Sequence, residues 1–79
     1  MTHSRLLALA ELPELHHAHI ELIQTDNPTR IRLLGMGLGK GSRVEVLRNR
    51  KGDLVLSHGN TRISLGRSIT QHILVQVSA

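Results

Sequence analysis

The sequence predicts a mainly β protein, a small barrel of about five short strands with one short helix after the first strand and another at the N-terminus. Three observations carry this. Apolar and polar residues alternate over residues 18–24, 42–47, 54–57, 61–65 and 73–77, which is strand spacing. Turn formers separate those runs: Gly39-Lys40-Gly41, Arg50-Lys51-Gly52-Asp53 and Gly59-Asn60. The chain has 79 residues and no aromatic side chain, so its core must be built from Leu, Ile and Val. Residues 1–79 read as one domain.

In chain order, Ser4 to Leu12 carries leucines at 6, 7, 9 and 12. Leu9 and Leu12 are spaced for one helical face, and Ser4 suits a helix cap, so a short helix is expected there. In the first strand Ile20 and Leu22 point one way, and His19, Glu21 and Ile23 the other. Asn27 is read as the cap of the next helix with Pro28 at its first position, where a missing N–H costs nothing. That helix should run to about Leu34, with Ile31 and Leu34 inward and Arg30 and Arg32 outward. Gly35 and Gly37 end it. Val44 and Val46, then Leu54 and Leu56, form a hairpin across Arg50–Asp53. Thr61, Ile63 and Leu65 follow. Gly66 to Gln71 reads as a turn or a single helical turn before the last strand, Ile73 to Val77.

Composition removes several functions. With no cysteine there is neither a disulfide nor a thiolate metal site. Without aromatics, grooves for proline-rich peptides and stacking platforms for single-stranded nucleic acid are ruled out. The net charge of +4 suits anionic partners, and its densest run is Arg48, Arg50 and Lys51. No stretch reaches the roughly 20 apolar residues of a membrane span, and the leucine-rich start is too short for a signal peptide. A soluble, unprocessed, cytoplasmic protein is expected.

Two segments invite a chemical reading. Gly35 to Ser42 looks phosphate-binding, but it follows a helix and precedes a strand, the reverse of a P-loop. His16, His17 and His19 cluster beside Glu14 and Glu21. On a strand His17 and His19 share a face. With His72 or His58 as a third donor they are the candidates for weak Zn(II) or Fe(II) binding; exposed, titrating imidazoles are the plainer reading. No cofactor is required, and no nucleophile–base spacing supports an enzyme.

The segment Arg32-Leu33-Leu34-Gly35-Met36-Gly37-Leu38-Gly39-Lys40-Gly41-Ser42-Arg43-Val44-Glu45-Val46 resembles the signature of the FeoA (ferrous iron transport protein A) family: a short Arg-Leu-Leu helix, a Gly-Leu, and a Gly opening a valine-rich strand. Ile63 and Leu65, then Ile73 to Val75, sit where that family has its last strands. The family often has Gly in its first turn, where this chain has Leu15. The resemblance implies an SH3-like small β-barrel. It also implies cytosolic work beside a FeoB-like ferrous iron permease, a membrane protein with a GTP-binding domain. The contact surface expected for such a partner is Leu33, Met36 and Leu38 with Arg30 and Arg32 at its rim. Gly37 and Gly41 would allow close backbone approach, or simply shape the turn. Strand edges or the N-terminal segment leave a homo-oligomer open. Two other classes compete: a metal-binding protein using the histidines, and an SH3-like regulatory or nucleic-acid-binding module, although no nucleic acid is expected.

Overall fold

The computed structural model describes residues 4–78. It holds six strands rather than five: β1 (Ser4–Ala8), β2 (His17–Ile23), β3 (Arg43–Arg50), β4 (Asp53–His58), β5 (Thr61–Leu65) and β6 (Ile73–Ser78). Helix α1 (Asn27–Gly35) joins β2 to β3, and the single-turn α2 (Arg67–Thr70) joins β5 to β6. All pairings are antiparallel, in the order β1-β6-β2-β3-β4-β5.

The extra strand replaces the expected N-terminal helix. Ser4 opens β1 instead of capping a helix, and β1 pairs with β6 from Ser4↔Ser78 to Ala8↔Leu74. That ladder satisfies an edge of β6 that a short helix would have left open. Leu7 packs against the core while Leu6 stays 59% exposed, so the leucine pair reads with period two. Only the end of the segment is helical: a 3-10 turn, Leu9–Glu11, which buries Leu9 and Leu12 together.

The core is one cluster. Leu9, Leu12, Ala18, Ile20, Leu33, Leu38, Val44, Val46, Leu54, Leu56, Ile63, Leu65, Ile73 and Val75 form it. The expected alternation holds in β4, β5 and the first part of β3; beyond Val46 the register against β4 shifts, and Arg48 and Arg50 turn outward. In β2 the alternation breaks, because the register against β6 shifts between Ile20 and Leu22. A bulge there reverses the facing of the residues beyond it. Ile23 therefore packs on the core and Leu22 is 46% exposed, the opposite of the expectation.

Asn49 ties the hairpin to the N-terminal segment. Its amide nitrogen donates to the carbonyls of Ala10 and Leu12, each at 2.9 Å. Its amide oxygen accepts from the Gly52 N–H, also at 2.9 Å. The buried Thr70 hydroxyl donates to the Gly52 carbonyl at 2.6 Å, fastening α2 to the same turn.

Candidate functional site

Helix α1 starts one residue earlier than the sequence suggests. Asp26 is its cap, accepting the Thr29 N–H at 3.0 Å, and Asn27 is already helical. The Thr29 hydroxyl, then that N–H, then the Arg32 charge hold the Asp26 carboxyl below its ordinary pKa of 3.8.

The end of α1 decides which residues face a partner. The Leu38 N–H donates to the Leu33 carbonyl at 2.9 Å, and the Gly37 N–H to the Leu34 carbonyl at 2.9 Å. With Gly37 at φ 86° this is a Schellman motif, which seats its two flanking apolar residues against each other. Those residues are Leu33 and Leu38, at 1% and 0% exposure. Leu33 is the one buried residue of α1.

Helical geometry then sets the rest. At about 100° per residue, Leu34 stands a quarter-turn from Leu33 and Ile31 about 160° away. Both are exposed, Leu34 at 56% and Ile31 at 66%, although the sequence placed them inward. Leu33 and Leu38, expected on the contact surface, belong to the core. Gly37 lies in the helix cap. Gly41, at φ 89°, donates its N–H to the Ile20 carbonyl at 2.6 Å and fixes the loop to β2. Arg30, Arg32 and Met36 are exposed, Met36 at 39%.

Leu34 also closes a groove. Glu21, Leu22, Ile23, Arg30, Leu34 and the Gly39-Lys40 turn line a trough between α1 and β2. A β-carbon on Gly39 would stand 2.8 Å from Leu34 Cδ2, so the leucine lies directly over the glycine. Lys40 Nζ sits 3.8 Å from Glu21 Oε1 at the rim, an exposed pair worth little by itself. The trough thus has an apolar floor from Leu22 and Leu34 and a largely cationic rim from Arg30 and Lys40. Nothing in the sequence alone exposed Leu22, because the bulge beside it leaves no residue signature. The Leu33–Gly37–Leu38 spacing did carry the information that turns Ile31 and Leu34 outward.

The Gly35–Ser42 loop is not a phosphate cradle. Besides Gly37, Leu38 and Gly41, the Gly39 N–H donates to the Ser42 hydroxyl oxygen at 3.0 Å, and the Ser42 N–H to the Gly39 carbonyl at 3.0 Å. These donors are already committed, within the helix cap and turn or, for Gly41, to β2.

The histidines lie elsewhere. His17 and His19 share the exposed face of β2, in a cleft also lined by Leu15, His16, Arg43 and Gln76. Arg43 can only donate, so its contact at 3.5 Å makes His17 Nδ1 the acceptor. Nε2 then faces Glu45 Oε2 at 3.5 Å. His58 Nδ1 donates to the Arg43 carbonyl at 2.9 Å. His72 is not with them. Its carbonyl accepts the Gln24 N–H at 2.8 Å, at the other end of β2 and about 16 Å of strand from His19. Ligand bonds are near 2 Å, so His17, His19 and His72 do not fit one metal ion. Among the described residues, no three His, Cys, Asp or Glu side chains are placed to hold one. No described helix is long and apolar enough to cross a membrane.

Comparison with known proteins agrees with this geometry. An Fe(2+) transport protein A, provisionally so assigned, from Methanocaldococcus jannaschii is 36% identical over 45 residues, covering 57% of this chain and 55% of that one. The chain therefore spans about half the length of the curated relative it matches. The solution structure of FeoA from Chlorobium tepidum superposes with a TM-score of 0.82 at 25% identity, over 90% of this chain and 70% of that one. FeoA of Stenotrophomonas maltophilia, an SH3 domain protein solved with zinc, gives 0.73 at 28% identity, over 96% and 94% of the two chains. The model of the FeoA domain matches residues 7–77. The six-stranded sheet is accordingly an SH3-like fold, and the chain belongs to the FeoA domain family.

Proposed function

We propose that this protein is a non-enzymatic cytoplasmic accessory of a ferrous iron uptake system, acting by contact with a FeoB-like permease that carries a cytosolic GTP-binding domain. Family membership supports the uptake system. For the Stenotrophomonas relative, a role as an activating factor of ferrous iron transport has been suggested. The observation that carries the contact reading is the trough between α1 and β2. Its exposed Leu22 and Leu34 are flanked by Arg30 and Lys40, with Ile31, Arg32 and Met36 exposed on the adjoining surface of α1 and its cap. Apolar anchors bordered by arginine suit a protein interface. Leu33, Leu38, Gly37 and Gly41 shape this surface from behind. The reading assigns no catalytic residue and no required cofactor.

The test is binding of the purified protein to the full-length permease and to its isolated cytosolic region. Leu34→Asp and the double change Arg30→Glu, Arg32→Glu should each weaken binding at least tenfold, with an unchanged far-ultraviolet circular dichroism spectrum. Unchanged binding by folded variants would remove this surface. No binding by the unaltered protein would remove the partner.

A further inference from the structure

The cations are unevenly placed. Of the ten lysines and arginines, six lie on the β3–β4–β5 sheet, its hairpin turn and α2: Arg43 at the His17 end of β3, then Arg48, Arg50, Lys51, Arg62 and Arg67. Of the six acidic residues, Glu45 and Asp53 lie there, and Glu14 reaches β3 from outside, its carboxylate accepting the Asn49 N–H at 2.9 Å.

The fold gathers the last five of these cations on one face. Arg48 and Arg50 alternate with the half-buried Asn49, so both project outward from β3, about 7 Å apart. Arg48 stands opposite Val55 and Val55 opposite Ser64, while Ser57 stands opposite Arg62. The outer surface is therefore a row of arginines, the half-exposed Val55, a serine and a further arginine, within about 12 Å. Arg48, Arg50, Asp53, Val55 and Ser64 line one shallow, open depression, with Asp53 directly opposite Arg50.

The hairpin turn and α2 add to it. Gly52, at φ 95°, has no side chain, and a β-carbon there would stand 2.7 Å from Arg67 Cγ. The Arg67 stem thus lies on the turn that carries Lys51. Asp53 Oδ1 accepts the Arg67 N–H at 2.8 Å, and Thr70 holds the Gly52 carbonyl. Glu45 is drawn the other way, toward His17. Among the described residues none of these five cations joins an ion pair; the two pairs found use His17 and Lys40.

We infer that this face docks on the anionic headgroup surface of a lipid bilayer. A flat, open array in which five cations surround one small apolar residue and outnumber the carboxylates matches an extended layer of phosphates better than a single small anion. It has no side chain to intercalate between acyl chains, so the contact is peripheral and reversible. The chain lacks the aromatic rings that would favour nucleobases. One basic residue near such a surface is worth about fivefold in binding, so five acting together give salt-sensitive adsorption. The face is separate from the α1–β2 trough, and adsorption does not require the permease contact to be right. If both hold, adsorption brings the trough to a membrane-embedded partner.

The experiment is sedimentation with vesicles of phosphatidylcholine, with and without phosphatidylglycerol, at about 0.05 M and about 0.5 M salt. Binding is expected only with phosphatidylglycerol and only at low salt. Arg48→Glu with Arg50→Glu should reduce it more than tenfold. Arg30→Glu with Arg32→Glu changes the net charge equally but lies on α1, and should retain most of it. Folding of both variants is checked by amide NMR spectra. Three results would overturn the inference: no adsorption of the unaltered protein, equal loss in both variants, or tight binding of a duplex oligonucleotide under conditions where vesicles are left free.

Discussion

Leu15 has φ 68°, in the left-handed region that L side chains other than asparagine and aspartate avoid. Its N–H donates to the Val46 carbonyl, which fixes the backbone before β2, and its side chain is 71% exposed. A leucine here carries strain and gains almost no burial in return. The family resemblance places glycine at this turn. Leu15→Gly should therefore stabilise the fold by about 0.5–1 kcal/mol, the relief of left-handed strain less the extra entropy of glycine in the unfolded chain. Urea unfolding followed by circular dichroism measures it, and a lower midpoint would show that Leu15 packs against something. A second residue sets a pH response. The Asp26 carboxyl is held below 3.8 chiefly by the Thr29 hydroxyl, then by the Thr29 N–H. A depressed carboxylate contributes stability that is full above its unfolded pKa and is lost as pH falls through the lower, folded value. Thr29→Ala removes the hydroxyl and keeps the N–H, so the Asp26 pKa should rise part of the way to 3.8 in an NMR titration. Asp26→Asn should keep the cap and abolish that titration.

Among the elements, α1 and its loop carry the partner surface, and Gly39 offers a way to disturb the surface without the fold. A β-carbon there meets only Leu34 Cδ2, the far end of a flexible side chain, at 2.8 Å. Gly39→Ala should change stability by no more than about 0.5 kcal/mol while pushing Leu34 out of the trough. Permease binding should then fall with the unfolding midpoint unchanged; a retained affinity would mean that Leu34 is not an anchor. The same elements show what was legible in the sequence. Alternation in the first part of β3, in β4 and in β5, and the turn at Arg50–Asp53 were, because period-two burial and a glycine at positive φ leave residue signatures. The Leu9–Leu12 spacing did mark a helical turn, but Ser4–Ala8 went to a strand because an open edge of β6 needed a partner, and such a long-range demand has no local signature. The β2 bulge reversed Leu22 and Ile23 for the same reason: the register belongs to the pair of strands. Asn49, three of whose four partners lie in the distant segment of Ala10, Leu12 and Glu14, carries no sequence signal for that tie.

At the scale of the molecule, one small core supports every surface, and this separates core leucines from interface residues. A chain of this length has a total stability of about 4–12 kcal/mol. Leu38 is fully buried against Leu33 in the helix cap, and truncating such a leucine to alanine costs about 2–5 kcal/mol. Leu38→Ala should therefore consume a large share of the stability, shift the urea midpoint strongly, and lower partner binding only in proportion to the unfolded fraction. Met36, beside it in sequence but 39% exposed, should behave in the opposite way. Met36→Ala should leave the midpoint within about 0.5 kcal/mol and reduce binding by its lost contact alone. The chain has no Trp, Tyr or Phe, so far-ultraviolet circular dichroism or NMR must follow unfolding in place of fluorescence. Binding corrected for the folded fraction is the deciding quantity. A deficit that survives correction in Leu38→Ala would mean that the Leu33–Leu38 cap reaches the partner after all. A deficit that vanishes there and persists in Met36→Ala would place the contact on the outer side of α1, with the buried pair holding that side in position.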